Sequence, residues 1–374
     1  MERLGYVREA PEPEDPPPTL TSGALVWARA NLFSSPASTI TTIGLLALIA
    51  YLLPQLVAWA TTRAVWSATN GAACRQQQDG ACWAFVIAKW DYLRFGSYPV
   101  PERWRVDAVE AIGAVLIVWL LWTNAPRRAW GALLFFVVYP VLALVLLRGS
   151  SLLGLPFVDT LLWGGVFVSL LTAVVGIVFS LPLGVLLALG RRSSLPVVRL
   201  ASLVFIEFVR GVPFITILFM ANNLLPLFLP EQWAPDRFLR PLAGIVMFSA
   251  AYMAEEVRGG LQSLGRGQYE AASALGLDYP RMMGLVILPQ ALTLVIPGIV
   301  NNFIGLFMDT TLISVVGMTD FLEAMNNAIK DPVWAGPTIM VTGYAFAGIF
   351  YFSFCSGMAR YSAHVERILG NTRK

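Results

Sequence analysis

Charge is scarce in this sequence. Asp, Glu, Lys and Arg supply 13% of its 374 residues and hydrophobic residues 57%, whereas a soluble globular domain carries roughly 25% charge. Histidine occurs once, at His364, and lysine three times, at Lys89, Lys330 and Lys374. None of these lysines follows a glycine, so no Walker A loop exists and the chain is not its own ATPase. With one histidine near the C-terminus, no histidine-based catalytic centre lies within the apolar segments. No metal site is expected either, because Cys74 and Cys82 have no histidine or further cysteine near them. The net charge of +3 is too small to point to nucleic acid. The alternating ten-residue strands of a membrane β-barrel are absent too.

What the sequence has is apolar runs approaching the roughly 20 residues that cross a bilayer as a helix. Eight are expected, at residues 40–60, 106–123, 129–147, 161–189, 200–224, 241–257, 285–307 and 336–354. The fold class is therefore an all-α polytopic membrane protein with about eight transmembrane helices. Residues 1–39, where Glu9, Glu12, Glu14 and Asp15 alternate with prolines, are expected to be a disordered tail. Residues 40–150 form a three-helix extension with a polar loop at 61–105, and 151–374 form a five-helix core. The run 161–189 contains Gly164, Gly165, Gly176 and Gly184, small residues that let helices approach closely. Residues 309–335 are expected to be a polar connection.

Arginines set the orientation. Eight crossings put both termini on one side. Taking that side as cytoplasmic gathers Arg127, Arg128, Arg191, Arg192, Arg199, Arg258, Arg266 and Arg281 there, as the positive-inside rule requires. Loop 61–105 then lies outside. There Cys74 and Cys82 can pair in an oxidising compartment, or remain two free thiols.

Two groups of polar residues interrupt the apolar runs. Glu207 and Arg210 are three apart and share a helix face, ahead of Gly211 and Pro213, which loosen the helix. They either line a path through the membrane or form a structural ion pair. Asn301, Asn302, Asp309 and Thr310 fall in or just beyond the seventh run. Such amides and hydroxyls either bind a polar substrate or join helices.

Between the sixth and seventh runs, the segment 259–284 is polar. Glu270, Ala271, Ala272 and Ala274 favour a short helix, Gly276 supplies its stop, and Asp278 with Pro280 starts a second. Glu270-Ala271-Ala272, then Gly276, then Ile287-Leu288-Pro289 resembles the EAA signature of bacterial ABC importer permeases. The run Glu207-Phe208-Val209-Arg210-Gly211-Val212-Pro213 is similar to their polar amino-acid branch (histidine, glutamate, glutamine and arginine systems). A long chain with three extra N-terminal helices looks like the M-type permease subunit of general L-amino-acid uptake. Met308-Asp309-Thr310-Thr311 departs from the branch's Lys-Asp-Thr-Ser, so the cation is missing here.

The resemblance implies a type I importer permease in the bacterial inner membrane, itself without cofactor. Its partners would be a second homologous permease subunit, a dimer of ATP-binding subunits holding ATP and Mg, and a periplasmic substrate-binding protein. Glu270, Ala271, Ala272, Gly276 and Arg281 would couple the chain to the ATPase. Glu207, Arg210, Asn301, Asn302, Asp309 and Thr310 would line the path of an L-amino acid. The alternative is an ion-coupled secondary transporter working alone, with Glu207 and Arg210 as coupling groups.

Overall fold

The computed structural model describes residues 23–122, 125–230, 232 and 234–371; the acidic, proline-rich stretch at 9–18 lies outside them. The contacts divide the chain into two units. One holds the described residues up to Ala64 together with Asp79–Ala81; the other holds Val65–Gln78 and Cys82 onward. The first unit begins inside the expected tail with a helix, Ala24–Asn31 (α1). Its long helix, Pro36–Ala60 (α2), starts where Ser35 and Ser38 exchange side-chain and backbone hydrogen bonds in a capping box, with Pro36 at the first position. The tail therefore gives way to helix earlier than composition suggests. No described side chain of α2 is buried.

The second unit is helical throughout its spans. Its elements are Trp83–Phe95 (α3), Arg103–Leu121 (α4), Arg128–Arg148 (α5) and Val166–Arg191 (α6). Pro196–Gly211 (α7) and Phe214–Phe228 (α8) follow, then Leu239–Ser263 (α9) and Arg266–Ala274 (α10). Residues 279–294 (α11) lead into Ile296–Val316 (α12). Phe321–Ile329 (α13) and Pro337–Asn371 (α14) complete the unit.

The described residues contain five unbroken helices long and apolar enough to cross a membrane: α2, α5, α6, α12 and α14 through Ile368. The expected fifth run is broken at Gly211–Pro213, and its halves α7 and α8 meet at 112°. Proline at 213 has no amide to continue the ladder, and it drives the preceding residue into extended backbone; Val212 has φ −106° and ψ 136°. The second and sixth runs sit on α4 and α9. These are long enough, but each carries three or more charged residues in any 18-residue window, among them Arg105, Asp107 and Glu110, and Glu255, Glu256 and Arg258. The seventh run is interrupted at Val295, just before Pro297. The eighth extends far past residue 354, to Asn371.

α6 is the central element. A Cβ on Gly176 would lie 2.9 Å from the methyls of Leu306, and one on Gly184 2.6 Å from Cβ of Met253. These two positions let α6 press onto α12 and α9, the close approach that small residues permit. Around it, one core joins α4, α5, α6, α8 and α9 through Val109, Tyr139, Phe167, Leu218 and Ile245.

The expected polar loop 61–105 is largely folded. Cys74 and Cys82 are joined by a disulfide, and α3 packs Phe85 and Leu93 into a core shared with Phe321, Met325 and Trp334. The Thr342 hydroxyl accepts from the Cys82 amide at 2.9 Å, and the Thr338 hydroxyl donates to the Cys74 carbonyl at 3.3 Å. Lys89 pairs with Asp331, and that hydrogen bond holds the Asp331 carboxyl below its ordinary pKa.

The expected connection at 309–335 is also structured. α12 tightens into a 3-10 turn, Thr310–Val316. Thr319–Asp320 then pairs in parallel with Gly164–Gly165. α13 buries Phe321, Ala324, Met325 and Ala328, an i, i+3, i+4, i+7 stripe. Asp320, fully buried, caps it by accepting from the amides of Leu322 and Glu323 and from the Tyr351 hydroxyl.

Candidate functional site

Two regions carry the functional residues. The first is the loop between α9 and α12. α10 ends in a Schellman motif: the Gly276 amide donates to Ser273 at 2.9 Å and the Leu277 amide to Ala272 at 3.2 Å. Gly276 adopts φ +73°, a conformation that glycine takes freely and other residues take at a cost. Asp278 then caps the next turn by accepting from the Arg281 amide at 3.2 Å. Here the structure extends the sequence reading. The second element is no isolated short helix, because it runs through a π-helical stretch, Met282–Ile287, into Leu288–Leu294.

The loop has two faces. Glu270, Ala271, Gly276 and Arg281 are exposed, as are Leu275 and Tyr279. Ala272 is 2% exposed, and Met283 and Ile287 enter a core with Ala188, Met253 and Val257 from α6 and α9. Arg192, at the end of α6, donates to the Tyr269 hydroxyl at 3.2 Å and lies over its ring. The loop is thus fastened to two long helices while presenting a polar and apolar outer face.

The second region is a cavity of about 520 Å³ between α8, α9 and α12. Phe214, Phe248 and Tyr252 form one wall, with ring centroids 4.6 and 4.9 Å apart along the row. Asn301, Asn302 and Asp309 come from α12, and Ser249 and Glu256 from α9. Polar positions along α12 were legible in the sequence; Ser249 and Glu256 were not assigned to a path, and only the packing of α9 against α12 brings them there. Gly298 makes room for Glu256, since a Cβ there would lie 2.1 Å from its carboxylate. Thr310 points elsewhere: it is fully buried and donates to the Phe307 carbonyl at 2.8 Å.

Glu207 and Arg210 do not line this cavity. Glu207 lies 3.1 Å from Arg191, and Arg210 lies 3.7 Å from Glu255. Glu255 is the hub, also receiving Arg191 at 2.6 Å and Arg258 at 2.7 Å. Arg210 sits over the Tyr252 ring at 5.4 Å, one aromatic layer away from the cavity. Arg191 is the member of this cluster that sequence spacing could not supply, because α6 reaches α7 and α9 only in the fold.

The chain is similar to several known proteins. The family described as binding-protein-dependent transport system inner membrane component matches residues 180–367. The inner membrane amino-acid ABC transporter permease protein YhdY of Escherichia coli K12 is 45% identical over 93% of this chain and 93% of its own. The glutamate/glutamine/aspartate/asparagine transport system permease protein BztC of Rhodobacter capsulatus is 38% identical over 99% of both chains. The solved structure of an amino acid ABC transporter with histidines is 25% identical over 54% of this chain and 91% of its own, with a TM-score of 0.47. The ion-coupled alternative finds no support among these relatives. A helical, multi-pass chain whose matched region runs from α6 through α14 and contains both the loop and the cavity belongs to the family of binding-protein-dependent transport system inner membrane components, the permease subunits of ABC transporters.

Proposed function

We propose that this chain forms one half of the membrane path of an ATP-driven L-amino-acid importer, and that the loop around Glu270 receives the push from a separate ATPase. The observation that carries this reading is the two-faced loop. Its outer face offers Glu270, Leu275 and Tyr279, and its inner face is locked to α6 and α9 through Met283, Ile287 and Arg192. A displacement of the loop moves α9, and α9 carries Ser249, Tyr252 and Glu256 of the cavity wall. The names of the relatives supply the amino-acid cargo.

The remaining parts of the importer follow from the same reading. A second permease subunit faces this one. A dimer of ATP-binding subunits holds ATP and Mg, and a periplasmic binding protein delivers substrate. The chain sits in the inner membrane with both termini in the cytoplasm. The arginines at 127, 128, 191, 192, 199, 258, 266 and 281 support that orientation, and so does the Cys74–Cys82 disulfide on the side the same count makes external.

The test is purification of the chain from its native membrane in mild detergent, with partners identified by mass spectrometry. A co-purifying Walker-motif ATPase, whose hydrolysis a periplasmic binding protein stimulates, is the expected result. Transport by the lone chain in liposomes without ATP would overturn the reading.

A further inference from the structure

The charge of the cavity has a direction. Glu256 and Asp309 both line it, and none of its lining residues is basic. Glu256, Asn301, Asn302 and Asp309 make no side-chain hydrogen bond or ion pair within the described residues. Ser249, 6% exposed on the same wall, has a hydroxyl with no partner. A buried polar group in a folded chain is normally satisfied, so the Ser249 hydroxyl calls for a partner, whereas Glu256, Asn302 and Asp309 are partly exposed and Asn301 is exposed. One buried, unpartnered hydroxyl and four accessible polar side chains without a protein partner, all around one cavity, form a constellation that fits a ligand.

The neighbouring cations are held out. Arg210 lies over the Tyr252 ring without lining the cavity and pairs with Glu255. Arg191 and Arg258 pair with the same carboxylate. The site therefore offers two carboxylates for ammonium or guanidinium groups. The amide N–H groups of Asn301 and Asn302 and the Ser249 hydroxyl are its donors to a carboxylate.

From this we infer that the cavity binds amino acids in the order cationic, then neutral, then acidic, with Glu256 and Asp309 each able to take one positive group of an arginine or lysine. The inference rests on the importer reading and refines it. An added negative charge meets two like charges with no counter-ion in the wall. This like-charge repulsion sets the order of preference. The aromatic row Phe214–Phe248–Tyr252 adds a surface for cations over ring faces.

The experiment uses the purified importer complex without its binding protein, so that upstream selection is removed. Binding of radiolabelled L-arginine, L-glutamine and L-glutamate is measured directly. L-arginine is expected to bind at least tenfold tighter than L-glutamate, with L-glutamine between them. Glu256→Gln and Asp309→Asn should each weaken L-arginine at least tenfold while changing L-glutamine by less than threefold. Gly298→Ala, which pushes the Glu256 carboxylate from its seat, should move selectivity in the same direction while the complex still assembles on size exclusion. Equal binding of arginine and glutamate, or unchanged arginine binding in both carboxylate variants, would overturn the inference, while ATP-driven uptake by the complex with its binding protein restored would keep the importer reading. Absence of ATP-driven uptake with the binding protein present would instead count against that reading.

Discussion

Arg210 stands 3.7 Å from Glu255 on α9, and not with Glu207, its neighbour one turn away on α7. Glu207 is held instead by Arg191 from α6 at 3.1 Å. Three helices are therefore pinned where α7 bends away from α8, with Glu255 compensating three arginines. The Glu255 side chain is 15% exposed, so removing its charge leaves partly buried cations without their common partner. Glu255→Gln should destabilise the detergent-solubilised complex by on the order of 3 kcal/mol. Glu207→Gln, at a 55% exposed side chain, should cost less than about 1 kcal/mol. Thermal unfolding followed by size exclusion compares the two; equal effects would remove Glu255 from the centre of the cluster.

The loop prediction separates insertion from coupling. Gly276→Asp forces a non-glycine residue to φ +73° at the end of α10, at a local cost of about 1 kcal/mol. Glu270→Arg reverses an exposed charge. Each should lower uptake at least tenfold while the amount of chain in the membrane stays constant by immunoblot. Normal uptake by both variants would remove the coupling role of this loop.

Gly305 lines the cavity, and a Cβ built there meets nothing within 4 Å. Gly305→Phe puts a bulky ring on the cavity lining and should abolish uptake while the complex assembles normally. Uptake at the parental rate would show that cargo takes another route.

Asp320 gives a pH dependence. Burial pushes its carboxyl up from 3.8 to about 6, against the pull of its hydrogen bonds to Leu322, Glu323 and Tyr351. The unfolded carboxyl ionises first as pH rises. Its contribution to stability is therefore fully present below about pH 4 and is lost as pH climbs through about 6, a change of about 3 kcal/mol. Asp320→Asn keeps a capping side chain and should flatten the slope of melting temperature across this window. An unchanged slope would assign the dependence to other groups.

How much could be read from the sequence depended on how locally each feature is encoded. The Schellman stop at Gly276 and the cap at Asp278 use residues within six positions of one another, so spacing revealed them. The cavity draws on Phe214, Ser249, Glu256 and Asp309, which lie on three helices, and only its α12 side stood out as polar residues in an apolar run. The pairing of Glu207 and Arg210 looked plausible from an i, i+3 spacing, but that spacing gives proximity along one helix and is blind to the stronger partners brought by α6 and α9. α13 was hidden because Asp320, Glu323, Asn326 and Asn327 dominate a count of polar residues, whereas the period of Phe321, Ala324, Met325 and Ala328 is what folds it.

The disulfide loop is tied to Thr338 and Thr342, residues more than 250 positions downstream. An N-terminal segment that leaves the ribosome early thus cannot bury its core until α14, near the end of the chain, has been made. Contacts of such long sequence separation form late and slow folding. A chain that ends before residue 319 still lacks Phe321, Met325 and Trp334, the core partners of Phe85 and Leu93, as well as Thr338 and Thr342, which hold the disulfide loop.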